Sequence, residues 1–344
     1  MKADAVDDAP ATRRGLSAGI AVATGTPRPL LGGGALLDLL LAAGREQHVD
    51  VVLDRQHHSG ERATRGDGPL VVGGHLIART HGDEHLGPTR RVDPTIALTW
   101  RLAPALSAFA RFQTGYRTGG LAVASGVGRV ADYQADDITV GELGVRTLRR
   151  GATGLSFSGS VSLARWDNIQ ADLINRRGQP YTANIGNARL EAFEASVDWV
   201  PVAGLRAEAS LFLTDNTVSG PIADQSQRNN RRLPDTPSLA LHAGLSYQWE
   251  AGGSSFRTGV TTDYVGRWVL GTGDFLDVSQ GRYQVFGLFA GMRRRPFDID
   301  LHIDNLTDRK ANRFSFGNPF GIASRDLVTP LRPLNARIGI VWNW

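Results

Sequence analysis

From Thr95 to the last residue, apolar and polar side chains alternate with a period of two, in segments separated by turns. In the final stretch Leu334, Ala336, Ile338, Ile340, Trp342 and Trp344 fall on one side. Asn335, Arg337, Gly339, Val341 and Asn343 fall on the other. This is the pattern of a β-strand with one apolar and one polar face. The pattern runs to the last residue and ends on an aromatic, whereas terminal strands of soluble sheets usually fray into polar residues. A strand that closes a membrane barrel has reason to end so, because its outer face meets lipid and its aromatics sit at the interface.

The same grammar recurs upstream. Ile96, Leu98, Trp100 and Leu102 share a face, as do Leu106, Ala108, Ala110, Phe112, Thr114 and Tyr116, with Arg111 and Gln113 opposite. Leu155, Phe157, Val161 and Leu163 alternate with Ser156, Ser158, Ser160 and Ser162. Four serines in register do not suit a dry core but suit a wet lumen. Phe193 to Trp199, Leu205 to Leu213, Leu239 to Trp249, Phe256 to Trp268, Phe286 to Met292 and Phe297 to Ile303 repeat the scheme, with Arg206, Glu208, His242, Arg257, Asp263 and Asp300 on polar faces. Eleven strands are legible from Thr95 onward.

Short connections at 102–104, 150–153, 201–203, 250–254 and 294–296 alternate with long polar ones. In outer-membrane barrels the short turns are periplasmic and the long loops extracellular. Aromatics gather at strand ends (Trp100, Tyr116, Trp166, Trp199, Tyr247, Trp249, Tyr264, Trp268, Trp342 and Trp344), as in the girdles where lipid meets water. The pattern predicts an all-β fold, an antiparallel transmembrane β-barrel of about 14 strands. A soluble all-β protein, a solenoid or a propeller would bury its apolar faces against a second layer or show matching blade motifs, and no such repeat is visible.

Residues 1–93 follow this grammar poorly. Gly15–Thr24, Ala35–Ala43, His48–Arg55 and Val71–Thr80 are candidate strands, and the alternation of short and long connections is lost before Val71. His57, His58, His75, His81 and His85 fit no metal-site spacing and read as loop histidines. The domain reading is therefore an undefined segment 1–93 followed by barrel from 94 to 344.

Composition narrows the classes. The 344 residues include no Cys, which excludes disulfide scaffolds and thiolate metal sites. A net charge of +4 is spread along the chain, without the basic block of a nucleic-acid binder. There is no 18-residue apolar run for a spanning helix. The first ten residues are acidic and do not form a secretory signal.

Several stretches, taken together and in order, resemble the TonB-dependent outer-membrane receptors. Phe109 to Leu121, with its Tyr-Arg-Thr-Gly-Gly ending, is similar to a family strand that closes on an aromatic-Arg-x-Gly-Gly turn. Glu142-Leu-Gly-Val-Arg146 resembles the family's Glu-x-Gly-x-Lys/Arg strand. Trp166 to Gln170, Asn184 to Ala188 and Glu191 to Glu194 resemble the run leading through Asn-x-Gly to a Gly-x-Glu strand, although the Gly is missing before Phe193. Asp304-Asn-Leu-Thr-Asp-Arg-Lys310 matches the most specific motif, near the carboxyl end. The resemblance covers about residues 94–344 and implies the carboxyl-terminal part of a 22-strand barrel. That family places a plug and a TonB-binding segment before its barrel. Neither is recognisable here, so the chain is expected to be a truncated part that does not perform active uptake alone.

The resemblance implies an outer-membrane receptor for a scarce ligand, most commonly an iron–siderophore chelate. Expected partners are outer-membrane lipid, the barrel-assembly machinery, the chelate itself, and TonB where the amino-terminal part is present; nucleic acid is not expected. No cofactor or resident metal is called for. Loop residues Tyr133, Trp166, Arg176, Arg177, Tyr181, Arg231, Phe275, Arg313, Phe314, Phe316 and Phe320 are candidate contacts for an anionic or aromatic chelate, and Trp344 resembles the terminal assembly signal. The alternatives are a plugless porin-like channel, a non-functional truncated product and a soluble binding protein. An outer-membrane hydrolase is a further one, but the His242, Asp300, His302 and Asp304 row shows no activated nucleophile.

Overall fold

The computed structural model describes residues 70–83, 87–123, 130–175, 177–220, 231–274, 276–314 and 329–342. Among them there is no helix. Twelve strands form one antiparallel sheet in which each pairs with the next in the chain. They are β1 (Leu70–Asp83), β2 (Gly87–Ala103), β3 (Leu106–Arg117), β6 (Asp136–Thr147), β7 (Gly154–Asp167), β10 (Asn187–Val202), β11 (Leu205–Ser219), β12 (Leu239–Ala251), β13 (Ser254–Val269), β14 (Ser279–Arg294), β15 (Phe297–Asp304) and β18 (Asn335–Trp342). The long connections carry three small hairpins: β4 (Gly120–Val123) with β5 (Val130–Tyr133), β8 (Gln170–Ile174) with β9 (Pro180–Asn184), and β16 (Asn312–Phe314) with β17 (Thr329–Pro330).

The eleven strands expected from Thr95 onward are those from β2 to β18, and Val71–Thr80 lies within β1. β2 runs through residues 93 and 94 without a break. The other candidate strands, with His57, His58 and His85, lie outside the described residues. β1 and β18 are the two edges, and among the described residues they do not pair, so this is an open length of barrel wall.

Register explains why these sequences make one wall. Opposed residues of antiparallel strands share a face. One row runs Leu98, Ala110, Leu143, Val161, Phe193, Leu213, Leu239, and a second, lower on β11, runs Leu211, Leu241, Tyr264, Gln284. Near the short turns, Phe256, Met292, Ile299 and Ile340 are aligned. The outer side chains are exposed or half-exposed, Leu143 and Trp342 each to 67%. Soluble proteins do not leave so continuous an apolar face in water. Tyr247, Trp249 and Phe256 stack at 5.5 and 5.4 Å, and Phe297 meets Trp342 at 6.0 Å. With Trp100 and Trp199 they form an aromatic belt at the short-turn end. At the other end the outer face turns charged, with Arg165 paired to Asp167 at 2.9 Å and Arg189 to Glu191 at 3.1 Å. From Trp199 up to Glu191 the strand covers about 26 Å, the scale of a membrane's apolar band once tilt is allowed for.

Two aromatics expected in the girdle lie elsewhere. Trp166 pairs with Ile138 on the inner face, and Trp268 is buried at the loop end. The inner face also departs from a purely polar lining. At the loop end Ile138, Val140, Ala164, Leu190, Ala192 and Phe212 point inward and are covered by Ile169, Leu173, Tyr181 and Ile185. The β8–β9 hairpin thus folds over the inside of the wall and forms its buried core, which hydrophobic burial stabilises.

Candidate functional site

Below that core the inner face is a ladder of charges. Arg111 meets Glu142 at 2.7 Å across β3 and β6. Asp198 of β10 receives Arg149 at 2.8 Å and Arg206 at 2.6 Å. His242 Nδ1 lies 2.7 Å from Asp263, and its Nε2 lies 3.9 Å from Glu208. Arg257 pairs with Asp300, and Arg293 with Asp298 at 3.2 Å. Arg206, Glu208, His242, Asp263, Arg257 and Asp300 all fall on the polar faces expected of them. Exposed pairs contribute only about 0–1 kcal/mol each. The ladder keeps a charged wall neutral and wetted rather than supplying much stability.

At the loop end two hairpins are tied together by one carboxylate. Asp136 is 1% exposed. It accepts the Arg117 backbone N–H at 3.2 Å, the Arg117 guanidinium through Nε at 3.0 Å, and the Gln170 backbone N–H at 3.1 Å. The Arg117 guanidinium also lies 5.0 Å from the Trp166 ring centroid and donates to the Gln170 carbonyl at 2.9 Å. Gln170 donates in turn to the carbonyls of Thr118 and Gln134 at 2.8 and 2.9 Å. Asn184 binds Gln134 from both sides, accepting its backbone N–H at 2.8 Å and donating to its carbonyl at 3.0 Å. Sequence reading missed this clamp. Its members come from two connections far apart in sequence, and the only local signal is the Asp136–Asp137 pair at the head of β6.

The candidate chelate contacts are scattered among these features. Tyr133 lies on β5 with its ring against Gly120, where a Cβ would come within 2.6 Å of the phenol oxygen. Trp166 lies under Arg117, and Tyr181 is in the buried core. Tyr133, Trp166 and Tyr181 therefore share one hairpin assembly. Arg177 is exposed at the turn between β8 and β9, where its backbone N–H donates to Asn175 at 2.9 Å. Arg231 is exposed in the connection between β11 and β12 and donates to the Gly220 carbonyl at 3.0 Å. Arg313 and Phe314 fall on β16. Arg176, Phe275, Phe316, Phe320 and Trp344 lie outside the described residues.

A separate cleft of about 600 Å³ opens where β12, β13 and β14 reach the loops. Arg232, Arg267 and Arg282 line it with Asp277, Ser238, Ser279, Leu239, Tyr264 and Trp268. Among the described residues no group of His, Asp or Glu could hold a metal ion.

An open wall of paired strands, lipid-facing on one side and charge-lined on the other, with its loops gathered at one end, defines a transmembrane β-barrel class. Residues 40–306 match the model of the TonB dependent receptor-like β-barrel family, and the chain belongs to that family. No curated protein matches the chain. Among solved structures it is similar to the ferric yersiniabactin uptake receptor FyuA of Yersinia pestis (15% identity, TM-score 0.62, 79% of this chain and 42% of that one). It is also similar to the FrpB iron transporter of Neisseria meningitidis (14%, TM-score 0.57, 79% and 43%) and to the copper transporter OprC (17%, TM-score 0.57, 80% and 44%). At such identities the likeness is one of fold, and the chain spans less than half the length of each of these proteins. The family is one of receptors and transporters of the Gram-negative outer membrane, not of enzymes.

Proposed function

We propose that the protein is part of an outer-membrane receptor that takes up a metal chelate, most simply an iron–siderophore complex, with energy supplied through TonB. The observation that carries this reading is family membership together with what the similar solved proteins transport. They include the ferric yersiniabactin and ferric-catecholate receptors and the copper transporter. On this reading residues 94–344 supply the carboxyl-terminal part of the wall, anchored by lipid on its outer rows. The charge ladder keeps the interior hydrated. Exposed loop groups such as Arg177 and Arg231 attract an anionic chelate, and Tyr133 and Trp166 offer it aromatic surface.

The test is uptake of iron-55 from a panel of ferric chelates by iron-starved cells that lack their own receptors and express this chain as part of a complete receptor with a plug and a TonB-binding segment. Accumulation of one chelate that stops when TonB is deleted is the expected result. Entry that is passive, non-saturating and independent of TonB would replace this reading with the porin-like one.

A further inference from the structure

The short turn between β14 and β15 carries consecutive arginines, Arg293, Arg294 and Arg295, and the strand register sends them to different places. Arg293 is opposed to Ser255 and Asp298, and Ser255 to Glu250. This is an inner-face row, one residue out of step with the outer row of Phe256, Met292 and Ile299. Within it Arg293 pairs with Asp298 at 3.2 Å. Arg294 is the next residue of the strand and so points to the other side. It is opposed to Phe297, which is opposed to Trp342. Those two rings belong to the outer aromatic belt and meet at 6.0 Å. Arg294 therefore lies on the lipid-facing side of the wall. Only Arg295 and Pro296 separate Arg294 from Phe297, so Arg295 stands at the tip of the turn. Both Arg294 and Arg295 are exposed.

The protein does not answer these two cations. The outer-face neighbours of Arg294, which are Phe256, Met292, Ile299, Phe297 and Trp342, are all apolar. The carboxylates at this end, Glu250 and Asp298, belong to the inner row with Arg293. Elsewhere on the outer face Arg165 and Arg189 are paired with Asp167 and Glu191. Among the described residues Arg294 and Arg295 have no carboxylate partner. An aromatic belt marks the depth of the lipid headgroups. Arginine stems lie along apolar surface and carry their charged ends to that depth.

We propose that this turn binds an anionic phospholipid of the leaflet at the short-turn end. Arg294 and Arg295 hold its phosphate, and Phe297 and Trp342 receive its glycerol and upper acyl groups. Guanidinium groups match phosphate oxygens with paired, charge-assisted hydrogen bonds. A headgroup of net negative charge is favoured over a zwitterionic one, because the latter brings its own cation toward two unanswered arginines. This inference rests on the lipid-facing side of the wall, not on chelate uptake.

The experiment counts lipids bound to the full chain by native mass spectrometry from detergent micelles, with phosphatidylglycerol or phosphatidylcholine added at rising concentration. Saturable binding of phosphatidylglycerol, tighter than that of phosphatidylcholine, is expected. One arginine near an anionic surface contributes about fivefold in affinity, so R294A should lose about that much and R294A/R295A about tenfold or more. R294K/R295K keeps the charge and should keep most of the binding, and R165A/R189A should leave it unchanged. Circular dichroism reports that each variant is folded. Equal binding of the two lipids by the wild type, or undiminished phosphatidylglycerol binding by a folded R294A/R295A, would overturn the proposal. Full displacement of the lipid by an equal concentration of glycerol phosphate would overturn it as well, because the site would then take a soluble anion.

Discussion

Arg257 and Asp300 lie on strands that do not pair with each other, yet they form an ion pair across Gly291 of the strand between them. Gly291 is opposed to both, and a Cβ there would come within 2.7 Å of the Arg257 Nε and of the Asp300 carboxylate. The pair therefore exists because the intervening position has no side chain.

That relationship separates steric from electrostatic cost. Both partners are partly exposed, so D300N should cost no more than about 1 kcal/mol. G291V inserts a branched side chain into occupied space and should cost about 1–3 kcal/mol. Urea unfolding in lipid vesicles, followed by tryptophan fluorescence, compares the two. A larger loss in D300N than in G291V would contradict the account.

Asp136 predicts a local effect. D136A leaves two backbone N–H groups and a guanidinium without their acceptor, at a cost of about 1–3 kcal/mol. The loss should appear as faster proteolysis and amide exchange in β4–β5 and β8–β9, with the wall strands β10 to β14 still protected. Uniform loss of protection along the chain would show that the clamp does not act locally.

Tyr181 distinguishes a packing role from ligand contact. Y181A removes a buried ring and should destabilise the protein by about 3–5 kcal/mol. Y181F keeps the ring and should cost far less stability than Y181A, with chelate affinity near wild type. A Y181F variant with normal stability and much weaker chelate binding would make the phenol a ligand contact.

Depth in the membrane supplies a further contrast. L143R places a cation in the middle of the outer row and should cost about 2–4 kcal/mol in a bilayer. S196R places one on the inner face, opposed to Ser158 and Ser210, and should change stability by about 0.5 kcal/mol or less. Similar costs at the two positions would argue against a lipid-facing outer side.

The wall was legible in the sequence because each strand repeats one period against two constant environments. Leu98, Leu143, Phe193 and Leu213 declare their face by parity alone. The loop end was not legible, because its elements are defined by each other. Leu173 and Tyr181 are buried only because Ile138, Leu190 and Phe212 face inward above the charge ladder. A short hairpin such as β8–β9, read alone, looks like polar connection. Trp166 resembled a girdle residue because it ends a strand, but its register puts it inside, under Arg117. The cleft at the loop end of β12–β14 was hidden for the same reason: Arg232, Arg267 and Arg282 come from separate segments, and only the fold brings them together.

The most direct test of the central claim uses the absence of native cysteine. Single cysteines placed in turn from Phe193 to Asp198 on β10 can each carry a spin label, and collision with oxygen and with a water-soluble nickel chelate can be measured in vesicles. Positions 193, 195 and 197 should favour oxygen, which concentrates in lipid, and positions 194, 196 and 198 should favour the nickel chelate. The opposite phase, or no period of two, would contradict a wall with lipid on its apolar face and water on its charged one.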